Sequence, residues 1–149
     1  MLIKGNIPHS EPVISAGIIL PEDNQKKISF KLSDPKAFSI QTDALKNVSC
    51  EHEYIIKVKN GNIFFNVTHS SKIRFIPKNY TQDEYILVDS VPAGRGFHWS
   101  KNISVKLQGE LIVKTVDNSL FIINKLPIEN YIMCVATSEM SPECPSALL

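Results

Sequence analysis

Glu139 lies in Ser138-Glu139-Met140, near the end of a segment whose apolar residues recur at helical spacing. A carboxyl held neutral by burial can donate a proton to a leaving oxygen and then take one back. Taken by its spacing alone, it reads as an ordinary surface glutamate. A two-carboxylate glycosidase site is not supported, because such pairs stand about 5–9.5 Å apart. Glu129 and Glu139 on one continuous helix are separated by roughly 15 Å at 1.5 Å per residue. Glu143 lies across the break at Pro142. Any glycoside chemistry here would need one carboxyl to serve as acid and then base.

Other residues with chemical potential are fewer. Val91-Pro92-Ala93-Gly94-Arg95-Gly96-Phe97-His98-Trp99 reads as a loop or an inter-domain connection. Gly94-Arg95-Gly96 lacks the remaining glycine, the Lys-Ser/Thr pair and the following helix of a phosphate loop. His98 and Trp99 have the shape to stack on a sugar ring, but packed aromatics at a domain junction is the preferred expectation. Cys50, Cys134 and Cys144 form no C-x-x-C pair and no disulfide framework, so reduced, mostly buried thiols are expected. A Cys134–Cys144 bridge is conceivable if Pro142 turns the chain back. Asn47, Asn66, Asn79 and Asn102 begin Asn-x-Ser/Thr triplets, which arise by chance in a chain rich in these residues.

The elements that would position these groups are mainly strands. Val13–Leu20 is an apolar run, and Ile28, Phe30 and Leu32 alternate with polar neighbours in the two-residue period of a half-buried strand. Tyr54–Val58 and Ile63–Val67 flank Asn60-Gly61-Asn62, a hairpin signal. Further short strands are expected around Ile73 and Phe75 and at Tyr85–Val88, Ile103–Leu107, Leu111–Val116 and Leu120–Ile123. Asp117-Asn118 makes a tight turn between the last two. At Leu126 the period changes from 2 to 3.6. Pro127 and Glu129 suit a helix start, and Ile128, Tyr131, Ile132, Val135 and Ala136 form a stripe expected to face a core. The helix should end near Met140, before Ser141-Pro142. The expected class is mainly β with a C-terminal helix (α+β).

Leu126-Pro127-Ile128-Glu129-Asn130-Tyr131-Ile132-Met133-Cys134-Val135-Ala136-Thr137-Ser138-Glu139-Met140 resembles the signature L-P-L-E-D-Y-L-x-G-V-V-x-S-E-M of the SpoIID/LytB family. This is the family of stage II sporulation protein D and the amidase enhancer. Cys144-Pro145-Ser146-Ala147-Leu148 resembles its W-P-x-E-A-L. Gly109–Val113 and Leu120–Asn124 resemble the preceding hairpin, and Pro12–Ile18 the opening strand P-x-I-x-V-G-L. The match is specific over residues 107–149. It departs from the family at Asn130 for Asp, Cys134 for Gly and Cys144 for Trp.

The resemblance implies a bacterial cell-envelope lyase that cleaves the bond between N-acetylmuramic acid and N-acetylglucosamine in peptidoglycan glycan strands. It leaves a 1,6-anhydro end, without a metal or other cofactor in the matched region. Glu139 would be the catalytic residue, with Ser138 and Met140 at the substrate. Ser138 either orients the carboxyl or bonds the helix backbone. A cell-wall amidase is the implied protein partner. Residues 1–90 would then be a β-rich N-terminal region and 91–149 the start of the catalytic domain. Pro145 would begin a helix that has barely started at Leu148-Leu149, so a truncated, inactive fragment with an exposed apolar patch is expected. The competing readings are a non-catalytic cell-wall binding module that assists an amidase, and, for residues 1–90, a structural β domain without a ligand.

Bulk properties fit this frame. The 149 residues carry a formal net charge of +1 and are 43% hydrophobic, which suggests neither disorder nor a nucleic-acid partner. No apolar run approaches the roughly 18–20 residues of a transmembrane segment. Met1–Pro8 shows no basic stretch leading into an apolar one, so no signal peptide is visible.

Overall fold

In the alternating stretches, every second side chain points to one side, and those side chains are the large apolar ones. Two such surfaces can be dried only against each other. The computed structural model describes residues 10–43, 48–65, 68–80 and 83–139, with backbone alone for 48, 49, 68 and 134–139. It is mainly β, with two antiparallel six-stranded sheets and one C-terminal helix.

The first sheet contains β1 (Val13–Ile19), β3 (Phe38–Thr42), β4 (Val48–Ser49), β8 (Lys72–Pro77), β11 (Glu110–Val116) and β12 (Ser119–Pro127). Their spatial order is β1-β12-β11-β8-β3-β4. The second contains β2 (Lys27–Leu32), β5 (Glu53–Lys59), β6 (Asn62–Phe65), β7 (Thr68–Ser70), β9 (Ile86–Ala93) and β10 (Lys101–Leu107). Their order is β10-β9-β2-β5-β6-β7. Ile73, Phe75, Leu111, Val113, Leu120 and Ile122 from the first sheet join Phe30, Leu32, Ile56, Ile63, Ile86 and Val88 from the second in one buried cluster. Phe75 reaches across between Phe30 and Tyr54, edge-on to both, at centroid distances of 5.7 and 5.3 Å. The sheets therefore pack face to face as a sandwich.

Both expected hairpin turns form. Asn60 and Gly61 have φ of 52° and 76° between the paired residues Lys59 and Asn62. Asp117 and Asn118 have φ of 52° and 58° between Val116 and Ser119. Two consecutive left-handed residues are what a two-residue turn needs to match the strand twist. The two tips also hold each other. Gly61 N–H donates to Asn118 Oδ1 at 3.0 Å, and the Thr115 hydroxyl donates to the Gly61 carbonyl at 2.7 Å.

Strands β3, β4 and β7 were not anticipated. In β3 the buried Phe38, Ile40 and Thr42 alternate with partly exposed Ser39 and Gln41, so the period was present but short and close behind Pro35. The expected boundary between residues 90 and 91 falls inside β9, and both sheets draw strands from either side of it. Val91-Pro92-Ala93, expected as irregular, are part of that strand. The bend there lies earlier, where two β9 residues, Asp89 and Ser90, face one on β10 and Ser90 takes φ of 59°. This is a bulge. A second irregularity interrupts β1 against β12 between Gly17 and Ile19.

The change of period at Leu126 marks the observed transition. Strand β12 ends at Pro127 and α1 runs Ile128–Glu139. Its first turn is held from outside: Ile128 N–H donates to the Pro12 carbonyl, and Glu129 N–H to the Glu11 carboxylate, both at 2.9 Å. Asn130, where the resemblance expects Asp, donates to Gln108 Oε1 at 3.1 Å, a bond an ionised Asp could not make. Gln108 leads into Gly109, which has φ of 83° and lies so close to β12 that a Cβ would sit 2.6 Å from the Lys125 carbonyl oxygen. The expected burial of the helix stripe is corrected in its first half. Tyr131, Ile132 and Met133 are exposed, Ile132 by 55%, so only Ile128 of the described stripe side chains is partly covered.

Cys50 is a free, half-buried thiol, and burial pushes it up to about 11 against the weaker opposing effects of Tyr54 and Lys78. Burial likewise pushes the Tyr54 hydroxyl up to about 12. The thiolate is the reactive form, and a rise from 9.0 to about 11 cuts it roughly a hundredfold. Alkylation of Cys50 near neutral pH should be slower than that of a small free thiol by that order, measured on the Cys50 peptide by mass spectrometry.

Candidate functional site

Glu139 is the last residue of α1 and Ser138 precedes it. The backbone is helical at both, and their side chains lie outside the described residues, as does all of Met140. The helix that carries them starts from a fixed point, where β12, the Pro12 carbonyl and the Glu11 carboxylate converge. Glu11 was not anticipated. Its place just before β1, with only Pro12 between, would have been the signal.

The described side chains make a second candidate site at the other end of β1. The chain leaves β1 through a short 3-10 turn, Pro21–Asp23, and Asn24 follows in the left-handed region. Opposite this turn stands the end of the β9–β10 hairpin. Between them lies a cleft of about 660 Å³, lined among others by Glu22, Asp23, Gln25, Arg95, Lys101 and Asn102. Arg95 closes one wall. Its Nε and Nη2 donate to the two Asp23 carboxylate oxygens at 2.8 and 2.9 Å, and Nη2 also donates to the Ile18 carbonyl at 2.8 Å. Asp23 further accepts from Leu20 N–H at 2.8 Å. Gln25 reaches the bulge, its Nε2 donating to the Ser90 carbonyl at 2.7 Å.

The turn that ends the hairpin carries the two aromatics. Phe97 N–H donates to Gly94 O and Ser100 N–H to Phe97 O, both at 3.0 Å, so the chain folds back twice within seven residues. Trp99 lies directly against Gly94, where a Cβ would meet its ring at 2.4 Å. Phe97 and Trp99 stack with centroids 5.5 Å apart and planes 15° from parallel. They are 61% and 54% exposed. This corrects the expectation of packed aromatics at a domain junction: the rings stack on each other and face solvent. It also changes the pair, since Phe97 rather than His98 partners Trp99. The i, i+2 spacing of two rings around a turn was the available signal.

The Arg95 guanidinium, opposed by burial and helped by the Leu20 N–H, holds the Asp23 carboxyl below its usual range. Because the folded value is the lower one, the pair's stabilisation is fully present above the unfolded value of about 3.9 and is lost as pH falls through the folded value. Acid titration should therefore show a transition in Trp99 emission below about pH 3.9. Asp23→Asn should remove it and give the acid-state emission already at neutral pH. Far-UV circular dichroism followed in parallel separates this local release from global unfolding.

Two other clusters have simpler roles. Glu110 is buried, accepts from Arg74 Nε at 2.5 Å, and Arg74 Nη1 donates to Gln41 Oε1 at 3.0 Å, a tie across β11, β8 and β3. On the outer face of the second sheet, Phe64 stacks on His69 at 5.7 Å near exposed Ile55. Among the described residues, no three His, Cys, Asp or Glu side chains converge as a metal site would require. None of the described helices is long and apolar enough to cross a membrane. No family model, curated protein or solved structure matches the chain.

Proposed function

We propose that this chain supplies the β-rich N-terminal portion and first helix of a SpoIID/LytB-type peptidoglycan lytic transglycosylase, with Glu139 as its catalytic acid. The observation that carries the reading is the likeness of Leu126–Met140 to the family signature, including an unaltered Ser138-Glu139-Met140. The signature's apolar opening coincides with the end of β12 and its helical part with α1.

In the proposed reaction, protonated Glu139 gives its proton to the glycosidic oxygen as the bond to muramic acid C1 breaks. The resulting carboxylate accepts the proton of the muramic acid C6 hydroxyl, whose oxygen bonds C1. The ring is closed as a 1,6-anhydro sugar, and Glu139 is protonated again. One carboxyl is enough because the nucleophile belongs to the substrate. The carboxyl must stay protonated near neutral pH, which burial among apolar groups would favour.

Peptide-free glycan strands treated with the full-length gene product should yield ends lighter by one water than hydrolysed ends, read by mass spectrometry. Intact strands, or ordinary reducing ends alone, refute the reading. The second reading, a glycan-binding module that assists a cell-wall amidase, is favoured by the exposed Phe97–Trp99 pair.

A further inference from the structure

We infer that the Phe97–Trp99 pair and the adjoining cleft bind an uncharged pyranose oligosaccharide. The inference deepens the binding reading above and does not involve Glu139. The start of α1 and the cleft lie at opposite ends of β1: Val13, at the α1 end, and Ile18, at the cleft end, are five residues apart, roughly 17 Å along a strand.

Three observations converge on this ligand class. First, a pyranose has an apolar face of C–H groups and a rim of hydroxyls. It is suited by an exposed aromatic surface beside fixed polar groups. Phe97 and Trp99 provide that surface, and Gly96 and Ser100, their neighbours in the same turn, line the cleft.

Second, the cleft chemistry is polar and balanced. Its charged residues are Glu22, Asp23, Arg95 and Lys101, two of each sign, joined by the amides Gln25 and Asn102. The Asp23–Arg95 pair is already satisfied internally. What remains suits hydroxyls better than an anion or a cation. The volume, about 660 Å³, falls in the range of small-ligand sites.

Third, the rings are held in place before any ligand arrives. Trp99 is set against Gly94, and Arg95 pins the turn to Asp23 and to the Ile18 carbonyl. A platform fixed in advance loses little freedom on binding, so more of its contact energy appears as affinity.

Trp99 is the sole tryptophan of the chain, so its emission reports on this site directly. Cellotetraose, maltotetraose and N,N′,N″,N‴-tetraacetylchitotetraose are titrated into the protein. A saturable change in emission with at least one of them is expected. Phe97→Ala, which keeps the reporter, should weaken that affinity roughly tenfold or more. Asn102→Ala should weaken it as well, while Phe64→Ala on the other exposed ring pair should leave it unchanged. Far-UV circular dichroism establishes that each variant is folded, and Asn102→Ala carries the test if Phe97→Ala is not. The inference is overturned if no sugar changes the emission. Unchanged affinity in both site variants, or a response to a short oligothymidylate with none to the sugars, overturns it too. Glycan cleavage by the full-length protein without sugar binding here would remove this inference and leave the proposal for Glu139 standing.

Discussion

Glu139→Gln in the full-length gene product should lower the rate of anhydro-end formation by about 10²–10⁴-fold, the usual worth of a positioned acid–base group. The amide keeps the size and hydrogen-bonding reach of the carboxyl but has no proton to transfer. The loss should fall toward the upper end of that range, because one group serves in both halves of the reaction. Glycan binding and the folded state should be retained. Glu129→Gln is the matched control, ten residues earlier on α1. It removes a negative charge from the first turn, costing about 0.3–1 kcal/mol of helix stability, and should leave activity intact. Anhydro ends formed by Glu139→Gln at the wild-type rate would remove Glu139 from the mechanism. Ordinary reducing ends in the wild-type reaction would keep a glutamate acid but eliminate attack by the C6 hydroxyl.

Phe75→Ala should destabilise the sandwich by about 3–5 kcal/mol, the usual cost of emptying a large aromatic site in a core. Phe75 is fully buried and touches the opposite sheet through both Phe30 and Tyr54. Both partners lose edge-to-face contacts at once, and neither strand can close the gap without breaking its ladder. Since whole domains are stable by only about 5–15 kcal/mol, the variant should approach unfolding at moderate temperature. At 2–4 °C per kcal/mol for a chain of this size, the midpoint should drop by roughly 6–20 °C, read by differential scanning calorimetry. Phe97→Ala, with its ring in solvent, should shift stability by no more than about 1 kcal/mol. A drop of similar size in both variants would mean that Phe75 is not the link between the sheets.

Elements with a long, regular period are legible in the sequence alone. The alternation at Ile28, Phe30 and Leu32, the Asn-Gly and Asp-Asn turns, and the change of period at Leu126 each fix a local geometry through nearby residues alone. What was not legible depends on distant partners. Thr68–Ser70 is a strand because β6 lies beside it, and Val91–Ala93 continue β9 because Lys101–Ile103 pair with them. The cleft was equally hidden. Asp23 and Arg95 are 72 residues apart, and nothing local in either stretch asks for the other. The exposed rings show a further limit, since composition identifies an aromatic but not whether a neighbour will cover it. Tyr131 and Ile132 make the same point on α1. Their spacing drew a stripe, but a stripe specifies burial only where a second surface is present to receive it.

Strand β1 forms one edge of its sheet among the described strands, and its sequence, Val13-Ile14-Ser15-Ala16-Gly17-Ile18-Ile19, carries no charge. An uncharged, apolar edge invites a foreign strand to add on and propagate aggregation. Here the invitation is withdrawn at one end, where the Ile18 carbonyl is taken by the Arg95 guanidinium. The irregularity between Gly17 and Ile19 spoils the register a newcomer would need. The regular part of this edge, Val13–Gly17, ends where Arg95 stands. Arg95 thus does for the sheet edge what a lysine does on most exposed strands: it places a charge where another chain would otherwise dock.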